Sequence, residues 1–171
     1  MLLSLALVSA ALNVQTSFKS GLFTYKVTSP RTVEVSAVDD KDASGMPVHD
    51  YVIPVTVRHE GATYRVTSLG EDLFYHKDPR TVSIPESVDS IKTGAFLSAD
   101  NLTSIALPSG LKYIGGASFS SSGLKSIVIP SSVVEIGENA FFSCKSLSSV
   151  QLGKGPVSYT HLRAHETDQY L

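Results

Sequence analysis

Apolar positions recur over residues 69–153 with a period of 22 to 23 residues. The phrase Leu69-Gly70-x-x-Leu73-Phe74 returns as Ile91-x-x-Gly94-Ala95-Phe96, as Ile114-Gly115-x-x-x-Phe119 and as Ile136-Gly137-x-x-Ala140-Phe141. A second phrase keeps the same step: Val82-x-Ile84-Pro85, Ile105-x-Leu107-Pro108, Ile127-x-Ile129-Pro130 and Val150-x-Leu152-Gly153. Two phrases locked to one period predict four stacked coils, each burying against its neighbours a face it cannot bury alone. Ile127 and Ile129 alternate with polar positions, as one face of a strand does. Pro130 ends that strand because it has no amide proton to donate. Leu111-x-x-Ile114-Gly115 is expected to turn the chain, the glycine supplying a backbone angle that other residues resist. Phe119 is expected to fill the wide side of the coil. About five apolar side chains per unit then point inward, each contributing about 1.5–3 kcal/mol when fully buried.

Ahead of the repeats the period changes to two. Phe23-x-Tyr25-x-Val27, Val33-x-Val35, Val52-x-Pro54 and Val55-x-Val57 are bounded by Ser29-Pro30 and a polar loop from Asp39 to Pro47. This pattern predicts short antiparallel strands that cover the open end of the first coil. At the start of the chain, Met1 to Ala11 is apolar apart from two serines, and Val8-Ser9-Ala10 has the spacing of a secretory cleavage site. The run falls well short of the ~20 residues of a membrane span. It reads as an export leader, with a first strand of the folded domain as the alternative, and the polar stretch Asn13 to Ser17 favours export.

The phrases Leu102-Thr103-Ser104-Ile105-Ala106-Leu107-Pro108 and Val133-Val134-Glu135-Ile136-Gly137-Glu138-Asn139-Ala140-Phe141 resemble the BspA-like class of leucine-rich repeats. The likeness runs from Tyr64 to Gly155. Pro79, Lys92 and Gly153 depart from it, standing where the pattern has leucine, glycine and proline. The resemblance implies an α/β solenoid of leucine-rich repeats, strand-dominated, with parallel strands on one face, turns or short helical pieces on the other, and an N-terminal antiparallel β cap. Tyr51-Val52-Ile53-Pro54 and Gly61 to Thr67 are similar to the β segment that often precedes such repeats. Members are mostly secreted or surface proteins of bacteria and some protists. The resemblance therefore implies an exported, non-catalytic protein-binding or adhesion module at the cell surface, with an extracellular or host protein, or a glycan, as ligand and no cofactor. The alternative is a structural spacer presenting a further C-terminal domain.

The stretch Val157 to Thr167 breaks the period and resembles the in-frame translation of a transposon-based sequencing-library adapter. The expected organisation is a leader over 1–16, a β-rich cap over 17–63, repeats over 64–155 belonging to a truncated array, and a non-native tail over 156–171. His161, His165 and Glu166 have the spacing of metal ligands on a helix, but they fall in that tail and are discounted.

Charge narrows the partners. The chain carries 14 basic and 16 acidic residues. Removing Arg163, Glu166 and Asp168 with the tail leaves 13 against 14, so there is no electrostatic footprint for nucleic acid or an anionic membrane. The single Cys144 cannot form an internal disulfide, and it reads as a small interior residue rather than a nucleophile, since no base accompanies it. Asp39-Asp40-Lys41-Asp42 lacks the spacing of a calcium loop and reads as a solvated hairpin loop. No Ser-His-Asp set, Cys-His pair or phosphate loop appears.

The candidate ligand-contact face consists of the polar positions between the inward ones. Thr81, Ser104, Ser126 and Ser149 form one column; Ser83, Ala106, Val128 and Gln151 a second; Arg80, Thr103, Lys125 and Ser148 a third. Parallel strands about 4.8 Å apart are expected to gather them on one sheet face. Four such strands offer on the order of 200 Å², against roughly 800 Å² per partner in a standard interface, so further surface must contribute.

Overall fold

The computed structural model describes residues 17–153 and the backbone of Ser158–Tyr159. The leader expected over 1–16 and the metal-like spacing of His161 and His165 lie outside the described residues. Three strands open the fold: β1 (Ser17–Ser20), β2 (Phe23–Ser29) and β3 (Thr32–Val38). They form an antiparallel meander in which Phe18, Phe23, Tyr25, Val33 and Val35 face inward. Gly21 adopts a left-handed φ of 59° in the β1–β2 turn, a conformation that glycine enters without steric cost. Three more strands follow: β4 (Asp50–Val52), β5 (Thr56–His59) and β6 (Ala62–Leu69). β5 pairs antiparallel with β6.

The N-terminal region is not antiparallel throughout, as the alternating pattern suggests. β3 runs parallel to β6, with Val35 opposite Leu69. β4 runs parallel to β7 (Thr81–Ser83), with Tyr51 opposite Val82. Both segments therefore occupy the places that an additional repeat unit would fill.

From β6 onward the period sets the register. β8 (Ser90–Ile91), β9 (Tyr113–Ile114) and β11 (Glu135–Ile136) continue one parallel ladder, in which Leu69, Ile91, Ile114 and Ile136 stand in line. Tyr159 of β13 (Ser158–Tyr159) pairs with Ile136 and extends that ladder at the same step. On the other phrase, β10 (Ser126–Ile129) pairs in parallel with β12 (Ser149–Leu152), Ile127 opposite Val150. β10 ends at Ile129, immediately before Pro130, because proline cannot continue the ladder.

Of the turns or short helical pieces expected on the other face, the described residues have turns and no helix, so the α/β label gives way to strands and turns. The backbone explains why. Each turn carries two left-handed residues at equivalent places: Asp72, Gly94, Ala117 and Asn139 at the first, His76, Ser98, Ser121 and Ser143 at the second. A left-handed residue interrupts a right-handed helix, and the freed amides bond to the next unit instead. Phe74 N–H donates to Ala95 O at 2.8 Å, Phe96 N–H to Ser118 O at 2.7 Å, and Phe119 N–H to Ala140 O at 2.8 Å.

Gly115 also departs from expectation. It has no left-handed φ and follows strand β9 directly. It is required because neighbouring units touch there: a Cβ on Gly115 would stand 2.5 Å from the carbonyl carbon of Lys92 and the nitrogen of Thr93. Gly137 is in the same position, 2.5 Å from the nitrogen of Gly116.

The core is a single cluster threaded by an aromatic column. Phe74 stacks on Phe96 with centroids 5.1 Å apart, Phe96 on Phe119 at 5.1 Å, and Phe119 on Phe141 at 5.5 Å, all within 10° of parallel. Tyr51 closes the N-terminal end with an edge contact to Phe74 at 5.1 Å. Beside this column run Ala95, Ser118 and Ala140, all fully buried. Among the described residues the Ser118 hydroxyl has no hydrogen-bond partner, and a buried hydroxyl without one costs about 1–3 kcal/mol. Ser118→Ala is accordingly expected to raise stability by about 1–2 kcal/mol. Chemical denaturation would read this as a higher midpoint at an unchanged slope.

Candidate ligand-contact face

The structure leaves all twelve candidate residues exposed: Arg80, Thr81, Ser83, Thr103, Ser104, Ala106, Lys125, Ser126, Val128, Ser148, Ser149 and Gln151. On β7 and β10 strand alternation is the reason, while on β12 all four residues, Val150 and Leu152 included, are exposed. Val82, Ile127 and Ile129 turn inward and are buried, so their sequence neighbours turn outward. Register brings Ser126 opposite Ser149 and Val128 opposite Gln151. Lys125 and Ser148 lie just ahead of those strands, where Ser148 N–H donates to Lys125 O at 2.9 Å and Ser148 Oγ to the same oxygen at 3.1 Å.

The three columns do not lie on one continuous sheet. No strand ladder forms over Ser104–Leu107, although Lys125 N–H still donates to Thr103 O at 3.0 Å. The face is thus two parallel pairs, β4–β7 and β10–β12, flanking an unladdered segment. Nothing in the side-chain packing accounts for the interruption.

β4 supplies surface that the repeat pattern did not reveal. Asp50 and Val52 stand opposite Thr81 and Ser83, and Thr81 Oγ1 donates to Asp50 Oδ1 at 2.6 Å. Val52 is 74% exposed and Val128 58%, so the face carries an aliphatic side chain on each ladder. The signal was present in Tyr51-Val52-Ile53-Pro54, which is the repeat phrase displaced outside the 22-residue frame. At the adjoining edge His49 Nδ1 lies 2.9 Å from Asp78 O, and Asn101 Nδ2 donates to Asp78 Oδ1 at 2.6 Å. Tyr51 itself is raised above its ordinary pKa by burial, with the nearby carboxylates of Asp40, Asp78 and Asp39 adding to the effect. Burial alone pushes Tyr25 to about 12. Both phenols are neutral at physiological pH and act as core residues.

The other sequence candidates have structural roles. Asp42 Oδ1 accepts from the Ser44 and Met46 amides at 2.8 and 3.0 Å, Asp39 pairs with Lys19 at 2.5 Å, and Asp40 pairs with Lys77 at 3.6 Å. That loop is held by its own carboxylates, and among the described residues no cluster could hold a metal ion. Cys144 is half-buried, its thiol donating to Phe119 O at 3.0 Å, in the place that Ala99 and Ser122 fill in earlier units. Lys92 stands where the resemblance calls for glycine. Its ammonium lies 2.5 Å from Oε2 of the buried Glu34, whose other oxygen occupies space above Gly70. The ion pair ties the second unit to β3.

Among the described residues no helix is long and apolar enough to cross a membrane. The profile of the BspA type leucine rich repeat region matches residues 67–165 in six copies. A leucine-rich repeat protein from Bacteroides capillosus is similar, with a TM-score of 0.70 and 30% identity over 80% of this chain and 97% of that one. The pneumococcal vaccine antigen PcpA is similar at a TM-score of 0.69 and 20% identity, covering 84% of this chain and 39% of that one. A leucine rich cell surface protein from Faecalibacterium prausnitzii gives a TM-score of 0.62 and 21% identity over 87% and 46%. The last two share the fold, and this chain spans less than half of each. A search of curated proteins gave no match. With 30% identity over nearly the whole of one relative and a family profile over more than half of its own length, the chain belongs to the BspA-type leucine-rich repeat family.

Proposed function

We propose that the repeats of residues 64–155 form a solenoid capped by residues 17–63, and that this protein acts as an exported, non-catalytic binding module at the cell surface. Its partner is an extracellular or host protein, held on the face carried by β7, β10 and β12. The observation that carries this reading is the exposure of all twelve residues of that face, over side chains that are buried beneath β7 and β10. Hydroxyls, one lysine, one arginine, one glutamine, one alanine and one valine present mixed polar and aliphatic chemistry suited to a protein surface. β4 enlarges the area beyond the repeats. One structural relative is named a cell surface protein, which supports the location. The balanced charge gives no attraction for nucleic acid.

The test is the double substitution Lys125→Glu with Gln151→Glu, measured by retention on a panel of immobilised extracellular proteins. Both side chains are exposed, so stability should change by no more than about 0.5 kcal/mol per site. Binding should weaken at least about tenfold, the equivalent of about 1.4 kcal/mol. A folded double variant that binds like the parent removes the strand face from the account.

A further inference from the structure

The strand face is bonded at its two ends and open in its middle. Three junctions on it begin alike: Arg80 N–H donates to His49 O at 2.7 Å, Lys125 N–H to Thr103 O at 3.0 Å, and Ser148 N–H to Lys125 O at 2.9 Å. Beyond the first and the third a ladder follows, β4–β7 and β10–β12. Beyond the second there is none. Toward β7, residues 103–107 make no backbone bond at all. The five consecutive amides of Thr103, Ser104, Ile105, Ala106 and Leu107 have no acceptor among the described residues.

Side-chain burial marks the same place. Ile127 and Ile129 on β10 are 2% and 0% exposed. Ile105 and Leu107, their counterparts one unit earlier, are only half-buried, as is Ile84 on the facing unit. Two side-chain clasps bridge the first and second units around this segment. Ahead of it Asn101 Nδ2 donates to Asp78 Oδ1 at 2.6 Å. Behind it the Ser109 amide and hydroxyl donate to Glu86 Oε2 at 2.9 and 2.7 Å. Both clasps are exposed, so water competes for their bonds.

The other side of the same units is closed. Ser90, Tyr113 and Glu135 stand in register on the continuous ladder of β8, β9 and β11. In the turns, Asp72 N–H donates to Thr93 O and Gly94 N–H to Gly116 O, both at 3.0 Å. A segment with unpaired backbone and thinly covered apolar side chains opens at a lower free-energy cost than the bonded structure around it.

We propose that residues 103–107 form a hinge seam, at which the strand face opens and closes while the β8–β9–β11 side serves as the spine. The motion changes the spacing between the β4–β7 and β10–β12 pairs. Its use in fitting a protein partner rests on the reading of that face as the binding surface. The motion itself does not.

The test uses the free chain, so it stands apart from any loss of binding in the Lys125→Glu, Gln151→Glu protein. Hydrogen exchange followed by NMR should find the five amides exchanging within about tenfold of the unfolded-chain rate, and those of Phe96, Gly115 and Phe119 at least about a thousandfold slower. Methyl relaxation dispersion should reveal opening of the seam at Ile105 and Leu107 and flat profiles at Ile91 and Ile114. Nitroxide pairs, in a Cys144→Ser background, then give the direction of the motion. Ser83→Cys with Val128→Cys spans the seam, and Ser90→Cys with Glu135→Cys spans two steps of the bonded ladder. The first pair should show a distance distribution at least about twofold broader than the second. Should a labelled pair fail to fold, exchange and dispersion on the unlabelled chain decide the matter. Amides at 103–107 as protected as Phe96, flat dispersion at Ile105 and Leu107, or equal widths for the two folded pairs would each overturn the proposal.

Discussion

Replacing Phe96 with alanine is expected to destabilise the protein by about 3–5 kcal/mol. Phe96 is fully buried and sandwiched between Phe74 and Phe119, with 5.1 Å to each centroid. Truncation removes both ring contacts and leaves a cavity in the middle of the aromatic column. The walls cannot collapse into it, because each neighbouring ring hangs from a unit whose position is set by backbone bonds. Phe96 N–H itself donates to Ser118 O at 2.7 Å. Phe141 provides the internal comparison. It is only partly buried and stacks on one side, so Phe141→Ala should cost clearly less. Urea denaturation of the two variants measures the difference, and equal losses would show that the column does not carry the core as described.

The second large effect is expected at Gly115, where alanine should cost about 1–3 kcal/mol despite adding a single methyl group. The added carbon would stand 2.5 Å from the backbone of Lys92 and Thr93. Backbone cannot step aside as a flexible side chain can, so the units must separate. Gly115 N–H donates to Ile91 O at 2.8 Å across the same junction, and that bond would stretch with them. Gly110 is the control: a Cβ there meets nothing closer than 4.0 Å, and its φ is not left-handed. Gly110→Ala should be neutral or stabilising by up to about 1 kcal/mol, since it restricts the unfolded chain without a clash. Thermal midpoints for the pair would decide it, and a Gly115→Ala variant as stable as Gly110→Ala would refute the close-approach argument.

These two residues also show what a one-dimensional pattern conveys. The recurrence of phenylalanine every 22 or 23 residues, together with the Ile-Pro phrase, was enough to predict register, core membership and family. Period and pairing are the same fact in a repeat, because equivalent residues must align. The role of Gly115 was misjudged because a turn and a close approach both select glycine, and only the neighbouring unit distinguishes them. Of the turns or helical pieces expected, turns were formed for a related reason. Left-handed angles at Ala117, Ser98 and Ser121 are imposed by bonds to the next unit, against the local preference of those residues.

Other features lay in contacts between segments far apart in sequence. Nothing in Val33-x-Val35 states that β3 will run parallel to β6, nor does Asp50 announce that it will stand opposite Thr81. The exposed columns were legible, since alternation around Ile127 and Ile129 fixes which side chains point out.

The binding role of the strand face is tested most directly by photo-crosslinking. A benzophenone side chain would be placed at Val128, exposed between Ile127 and Ile129 on β10, and separately at Ser98, exposed in a turn. Each folded protein would be irradiated with intact cells or extracellular matrix, and the adducts identified by mass spectrometry. The account predicts a specific protein adduct from Val128, lost in the Lys125→Glu and Gln151→Glu background, and none from Ser98. Equal adducts from both positions, or adducts from Ser98 alone, would contradict it.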